Sequence, residues 1–89
     1  MRPVQILLPA SLARLFPGAP RQLALEAGSV AQAILALEAR WPGMRDRICD
    51  TTPAIRKHMN VFVDGERVRL DTPLAPGAEV FVLTAISGG

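Results

Sequence analysis

The 89-residue chain contains only one cysteine and one histidine. Because Cys49 stands alone, the chain cannot form an internal disulfide or supply a four-thiolate zinc or iron–sulfur site by itself. The simplest interpretation of Cys49 is a small buried hydrophobic residue or an unused surface thiol. His58 has no acid or thiol near it in the sequence with which to form a ligand set or a dyad. We therefore expect no catalytic residue, no metal site and no cofactor bound by this chain.

Long apolar runs and a strong net charge are also missing. Apolar residues make up 49% of the chain, but no run of roughly 20 of them exists that could span a bilayer. The first apolar stretch ends at Pro9, which is too early for a secretory signal. The net charge of +2 comes from scattered residues, whereas a phosphate-binding surface needs cations clustered on one face. We expect a cytoplasmic protein that binds neither membrane nor nucleic acid.

One main helix is predicted between Ser29 and Trp41, before the Pro42-Gly43 stop signal. Ser29 and Gln32 fit the S-x-x-Q capping box, in which each side chain bonds a backbone N–H of the first turn. An apolar stripe along this helix would face a sheet, with Trp41 in the core or at its rim. The stripe consists of Val30, Ile34, Leu37 and Trp41.

Alternating apolar and polar residues predict about five strands, at 4–8, 21–26, 57–64, 67–69 and 79–84. The first two should pair as a hairpin, and Asp64-Gly65 predicts a second, tight one. The order β-β-α-β-β-β predicts a two-layer α+β domain with the helix across one face of a mixed sheet. The length leaves no room for a second core.

Four large apolar side chains fall on the sheet face that the helix does not cover. We call these residues the outer patch: Leu7, Phe62, Phe81 and Leu83. A patch of roughly 300 Å² or more is the scale at which monomer surfaces mark binding sites. The alternative is that a connecting loop folds over this face. We expect the patch to be exposed and to bind a partner.

The sequence ends in Gly88-Gly89, shortly after the last strand. Two residues without side chains could enter a narrow channel of a partner and present the terminal carboxylate to a nucleophile. The alternative is an incidental or frayed end. We expect a domain at 1–84 and a flexible tail at 85–89.

The element order, the Asp64-Gly65 hairpin, the approach 74–80 to the last strand and the end 85–89 together resemble the MoaD/ThiS family of ubiquitin-like sulfur-carrier proteins. The resemblance covers essentially the whole chain and implies a β-grasp fold. It implies that an E1-like enzyme, using ATP and Mg²⁺, adenylates Gly89, which then becomes a thiocarboxylate. Gly88 would pass through a narrow channel of the partner, and the outer patch would dock on the partner's surface. The family often has proline at the position of Thr84, so we expect the exit angle of the tail to be less fixed here, without loss of the chemistry.

The resemblance also implies a protein co-substrate rather than an enzyme. Its partners would be the E1-like adenylating enzyme, a sulfur-accepting synthase and, in some pathways, a JAMM-type metalloprotease. The motifs 60–65 and 85–89 look closest to the carriers that serve cysteine or molybdopterin synthesis, but they do not separate these branches well from each other or from thiazole synthesis. Two alternatives stay open: a ubiquitin-like modifier that forms isopeptide bonds from Gly89, and a β-grasp interaction module that forms no conjugates.

Overall fold

A computed structural model describes residues 2–52 and 54–84 of the chain, so the predicted tail at 85–89 lies outside it. The predicted strands and the main helix are confirmed, each within a few residues, and two further short helices are present. The elements are β1 Val4–Leu7, α1 Ala10–Ala13, β2 Gln22–Leu25, α2 Val30–Arg40, α3 Met44–Ile48, β3 Met59–Val63, β4 Glu66–Arg67 and β5 Glu79–Thr84.

The five strands form one mixed sheet in the order β2-β1-β5-β3-β4. β1 and β2 pair antiparallel, which confirms the predicted first hairpin. β5 lies parallel to β1, with Ile6 beside Val80, and antiparallel to β3, with Val61 beside Val82. The last strand is therefore the central one, and Thr84 ends it in the middle of the sheet.

The core lies between this sheet and α2. The helix contributes three buried residues of the predicted stripe, Val30, Ile34 and Leu37, while Trp41 is half-buried at the C-cap. Burial of one such aliphatic side chain stabilises a fold by about 1.5–3 kcal/mol relative to leaving it in water. The strands contribute the residues that alternate toward the helix: Val4, Ile6, Met59, Val61, Val80 and Val82.

The N-terminus of α2 differs from the predicted capping box in one bond. The Ser29 hydroxyl oxygen accepts the Gln32 N–H at 3.2 Å, as expected. Gln32 Oε1, however, accepts the N–H of Gly28, one residue before the N-cap, at 2.7 Å. The glycine permits this approach, because a Cβ at position 28 would lie only 3.1 Å from the same oxygen. Among the helices of residues 2–52 and 54–84, none is long and apolar enough to cross a membrane.

Candidate functional site

Three residues of the outer patch form a continuous row across the centre of the sheet. Leu7 of β1 lies opposite Phe81 of β5, and Phe81 lies opposite Phe62 of β3. Residues directly opposite each other on neighbouring strands point to the same face, with strands roughly 4.8 Å apart. The three side chains therefore form one apolar surface that spans three strands.

This surface faces away from α2. Val80 and Val82, on either side of Phe81 in the sequence, are each only 2% exposed. Leu7, Phe62 and Phe81 are half-buried. Leu83 extends the patch along β5 and is 43% exposed. The predicted alternation is confirmed. The predicted exposure holds fully for Leu83, whereas Leu7, Phe62 and Phe81 are only partly exposed.

One polar residue lies at each end of this row of apolar side chains. Gln22 of β2 lies opposite Leu7, and Arg67 of β4 lies opposite Phe62. Both polar side chains are exposed. An apolar centre with a polar rim is typical of protein–protein interfaces. Sequence reasoning did not select Gln22 or Arg67, because their place in the row depends on the pairing register.

Candidate metal-binding side chains are not clustered in the described part of the chain. Within 2–52 and 54–84, no group of three or more His, Cys, Asp or Glu residues could hold a metal ion. Cys49 is buried, and burial raises the pKa of its thiol. A thiol with a raised pKa is a weak nucleophile. The interpretation of Cys49 as a small buried residue is confirmed.

Two carboxylates with lowered pKa values accept hydrogen bonds from neighbouring loop residues and so stabilise the conformation of those loops. Glu38 accepts the backbone N–H groups of Gly43 and Arg45, both at 2.9 Å, and these bonds lower its pKa. Asp50 accepts the Thr52 hydroxyl, the Thr52 N–H and the Ala54 N–H, which lower its pKa likewise. Glu38 thus fixes the start of α3, and Asp50 fixes the turn that follows it.

The model of the ThiS family matches residues 6–89, which is nearly the whole chain. The chain belongs to the ThiS family. Its members are small ubiquitin-like sulfur carriers rather than enzymes, so the predicted resemblance is confirmed at the level of the family.

Solved structures with the same fold cover nearly the whole chain. A chain of the Amycolatopsis orientalis BexX/CysO complex has a TM-score of 0.86 and 24% identity, covering 97% of this chain and 99% of that one. Mycobacterium tuberculosis CysO has a TM-score of 0.83 and 26% identity, with 93% and 99% covered. SAMP1 from Haloferax volcanii has a TM-score of 0.79 and 26% identity, with 97% and 98% covered. No curated protein matches the sequence. The β-grasp fold is confirmed.

The structure therefore brings together part of the predicted site. The outer patch is one surface on one face, with Leu83 on the side of the row nearer the end of β5. Gly88 and Gly89 lie outside the described residues, and their roles stay predictions.

Proposed function

We propose that this member of the ThiS family carries sulfur as a thiocarboxylate on Gly89, after an E1-like enzyme has adenylated that residue. One observation above all supports the proposal. Phe81 and Leu83 of the outer patch lie on β5, the strand that directly precedes residues 85–89. A partner that binds the patch would hold Thr84, from which residues 85–89 continue, at a fixed place on its own surface. In this proposal residues 85–89 are a flexible tail, and Gly88 passes through the channel of the enzyme.

The chemistry explains why a carrier needs no catalytic group of its own. A carboxylate is anionic and resonance-stabilised, and it resists attack by nucleophiles. A carboxylate oxygen of Gly89 attacks the α-phosphorus of ATP in the enzyme, and pyrophosphate leaves. A hydrosulfide then attacks the carbonyl carbon of the acyl-adenylate, and AMP leaves. The activating enzyme supplies Mg²⁺, ATP and the electrostatic stabilisation of these steps.

The carrier contributes a docking surface and a chain end that is long enough to enter the active site of the enzyme. Five residues follow Thr84, and an extended chain of that length reaches at most about 16–18 Å. This distance is enough for the terminal carboxylate to enter an active site while the outer patch stays on the enzyme's surface. Sulfur on Gly89 can then pass to an acceptor without release into water.

We propose a sulfur-accepting synthase as the second partner, in cysteine, molybdopterin or thiazole synthesis, and a cytoplasmic location. CysO of Amycolatopsis orientalis occurs in a complex with BexX, which supports an acceptor that binds the carrier directly. A JAMM-type metalloprotease is a further partner where the product has to be released from Gly89. An acceptor should bind the same outer patch, because that patch lies next to the end of β5.

The proposal is tested by co-expression of the chain with the E1-like enzyme encoded in the same genome. We expect the intact mass to increase by the difference between sulfur and oxygen. The matched control is a chain from which Gly89 is deleted, and it should show no increase. A wild-type chain that keeps only its carboxylate, in cells where the enzyme is active, would contradict the proposal.

A second function has one observation in its favour. The similar Haloferax volcanii structures are named as small archaeal modifier protein 1. A modifier would form isopeptide bonds between Gly89 and lysines of other proteins. A tagged chain should then appear in covalent conjugates of higher mass, and deletion of Gly89 should remove them. An interaction module that forms no conjugates would keep its function after deletion of Gly88 and Gly89.

A further inference from the structure

The two ends of the sheet differ in charge. β5 runs parallel to β1 and antiparallel to β3. Thr84, the last residue of β5, therefore lies at the same end of the sheet as the connection that follows β1 and the segment that precedes β3. We call this end of the domain, from which residues 85–89 continue, the exit end. The start of β5 and the turn between β3 and β4 lie at the opposite end.

Exposed cations from three separate segments lie at the exit end. Met59, the first residue of β3, pairs with Thr84. Met59 lines a surface pocket together with Arg47 of α3 and Arg56. A second pocket, which shares Met59 and Arg56, includes Lys57. The connection between β1 and β2 adds two more exposed arginines at this end: Arg14 and Arg21.

Acidic residues at the exit end are fewer than the cations. Glu38 and Asp50 accept backbone N–H groups of neighbouring loop residues. Asp46 lines the same pocket as Arg47 and Arg56. The exit end therefore has an excess of positive charge, although the cations that produce it are scattered in the sequence.

The opposite end of the sheet is acidic. The Asp64 carboxylate accepts the Glu79 N–H at 3.2 Å, where β3 ends and β5 begins. Two further acids lie there, after β2 and at the start of β4: Glu26 and Glu66. Arg2, which precedes β1, is also exposed at this end. β5 has six residues, so its ends lie roughly 17 Å apart, about twice the Debye length at physiological salt. The acids at one end therefore do not cancel the cations at the other.

We propose that the exit end docks on an acidic surface of the partner protein that acts on residues 85–89, and that this attraction orients the carrier with its chain end toward the partner. An acidic surface attracts the exit end and repels the opposite one, so encounters in the wrong orientation are disfavoured. The identity of this partner, the E1-like enzyme, rests on the proposed function.

The exit end is continuous with the outer patch. Leu83, which is 43% exposed, belongs to the patch and directly precedes Thr84. A partner can therefore contact the apolar patch and the cations in one interface, with the apolar side chains at its centre and the charges at its rim. Charges at the rim act chiefly on the rate of association and on its salt dependence.

Two other occupants fit the exit end less well. A phosphate backbone would be repelled by Asp46, which stands between Arg45 and Arg47 in α3. A second copy of this chain would have to bind by its acidic end. Such head-to-tail contacts between identical chains lead to rings or filaments, and they would cover the end of β5 in every copy but the last.

The test is isothermal titration calorimetry of the full-length chain with the E1-like enzyme from the same genome, without ATP. We expect the wild-type Kd to rise at least about tenfold between about 50 and 500 mM NaCl. Lys57→Glu and Arg47→Glu, which lie on separate segments of the exit end, should each raise the Kd about fivefold at low salt. The matched control Arg2→Glu makes the same charge change at the opposite end and should raise the Kd less than about twofold.

Equal effects of Lys57→Glu and Arg2→Glu would overturn the proposal, as would a Kd that does not change with salt or a wild type that does not bind the enzyme. Tighter binding to a single-stranded oligonucleotide or to vesicles of anionic lipid would also overturn it. So would sedimentation that shows assemblies of the wild type which Lys57→Glu abolishes. Circular dichroism establishes that each variant is folded.

Pyrophosphate release after addition of ATP separates this proposal from the proposed function. A wild type that binds with the expected salt dependence but is never adenylated would contradict the proposed function alone. A wild type that is adenylated while Lys57→Glu and Arg2→Glu bind equally well would contradict only the docking of the exit end.

Discussion

Phe62 and Phe81 lie directly opposite each other on β3 and β5, with both side chains on the sheet face away from α2. Aromatic residues paired in this way stabilise each other, yet both stay partly exposed here. The fold therefore maintains an apolar surface next to the end of its central strand. The proposed function requires such a surface, because the activating enzyme has to bind the domain while it modifies Gly89.

Replacement of Phe81 by aspartate should weaken docking without unfolding the protein. Loss of one apolar contact of about 1.5–3 kcal/mol predicts a decrease of roughly 10–100-fold in kcat/KM for adenylation of the carrier. The matched control is Leu35→Asp, since Leu35 is 54% exposed on α2, away from the patch. Pyrophosphate release measures the rate, and thermal melting checks the fold. Equal loss of activity in both variants would argue against a docking role for the patch.

Replacement of Ser29 by alanine should destabilise the domain, because the Ser29 side chain accepts the Gln32 N–H at the start of α2. The expected loss is about 1 kcal/mol in the free energy of unfolding, measured by urea denaturation. Ser11→Ala is the control, since Ser11 is exposed and α1 has no side-chain cap. A variant of Ser29 that is as stable as the Ser11 variant would show that the cap contributes nothing.

The Glu38 carboxylate should make stability depend on pH in acid. Bonds from Gly43 and Arg45 N–H groups lower the pKa of Glu38 below its ordinary value of 4.5. A carboxylate with a lowered folded-state pKa stabilises the fold at neutral pH, and that contribution is lost as pH falls from 4.5 through the folded-state pKa. Glu38→Gln should therefore melt at a lower temperature than wild type at pH near neutrality, and the difference should shrink in acid. Glu26→Gln serves as the control, and a pH-independent difference for Glu38→Gln would contradict the assignment.

The faces of the strands could be predicted from the sequence because side chains alternate with a period of two residues. Val80 and Val82 therefore identify Phe81 and Leu83 as the outer residues without knowledge of the fold. The hairpin between β1 and β2 was also predictable, because the two strands are near in the sequence. Local pattern thus determines which side chains share a face.

Pairing between distant strands could not be predicted in the same way. The row Leu7, Phe81 and Phe62 exists because β5 lies between β1 and β3 in one particular register, and no local pattern encodes that choice.

The central claim, that Gly89 carries the sulfur, is tested most directly by locating the sulfur within the chain. The chain is incubated with its E1-like enzyme, ATP and a sulfur donor, then cleaved and analysed by mass spectrometry of its peptides. The account predicts that one oxygen is replaced by sulfur in the peptide that ends at Gly89, while the peptide containing Cys49 is unchanged. Sulfur added only to Cys49, or a C-terminal peptide that remains a carboxylate under active enzyme, would contradict it.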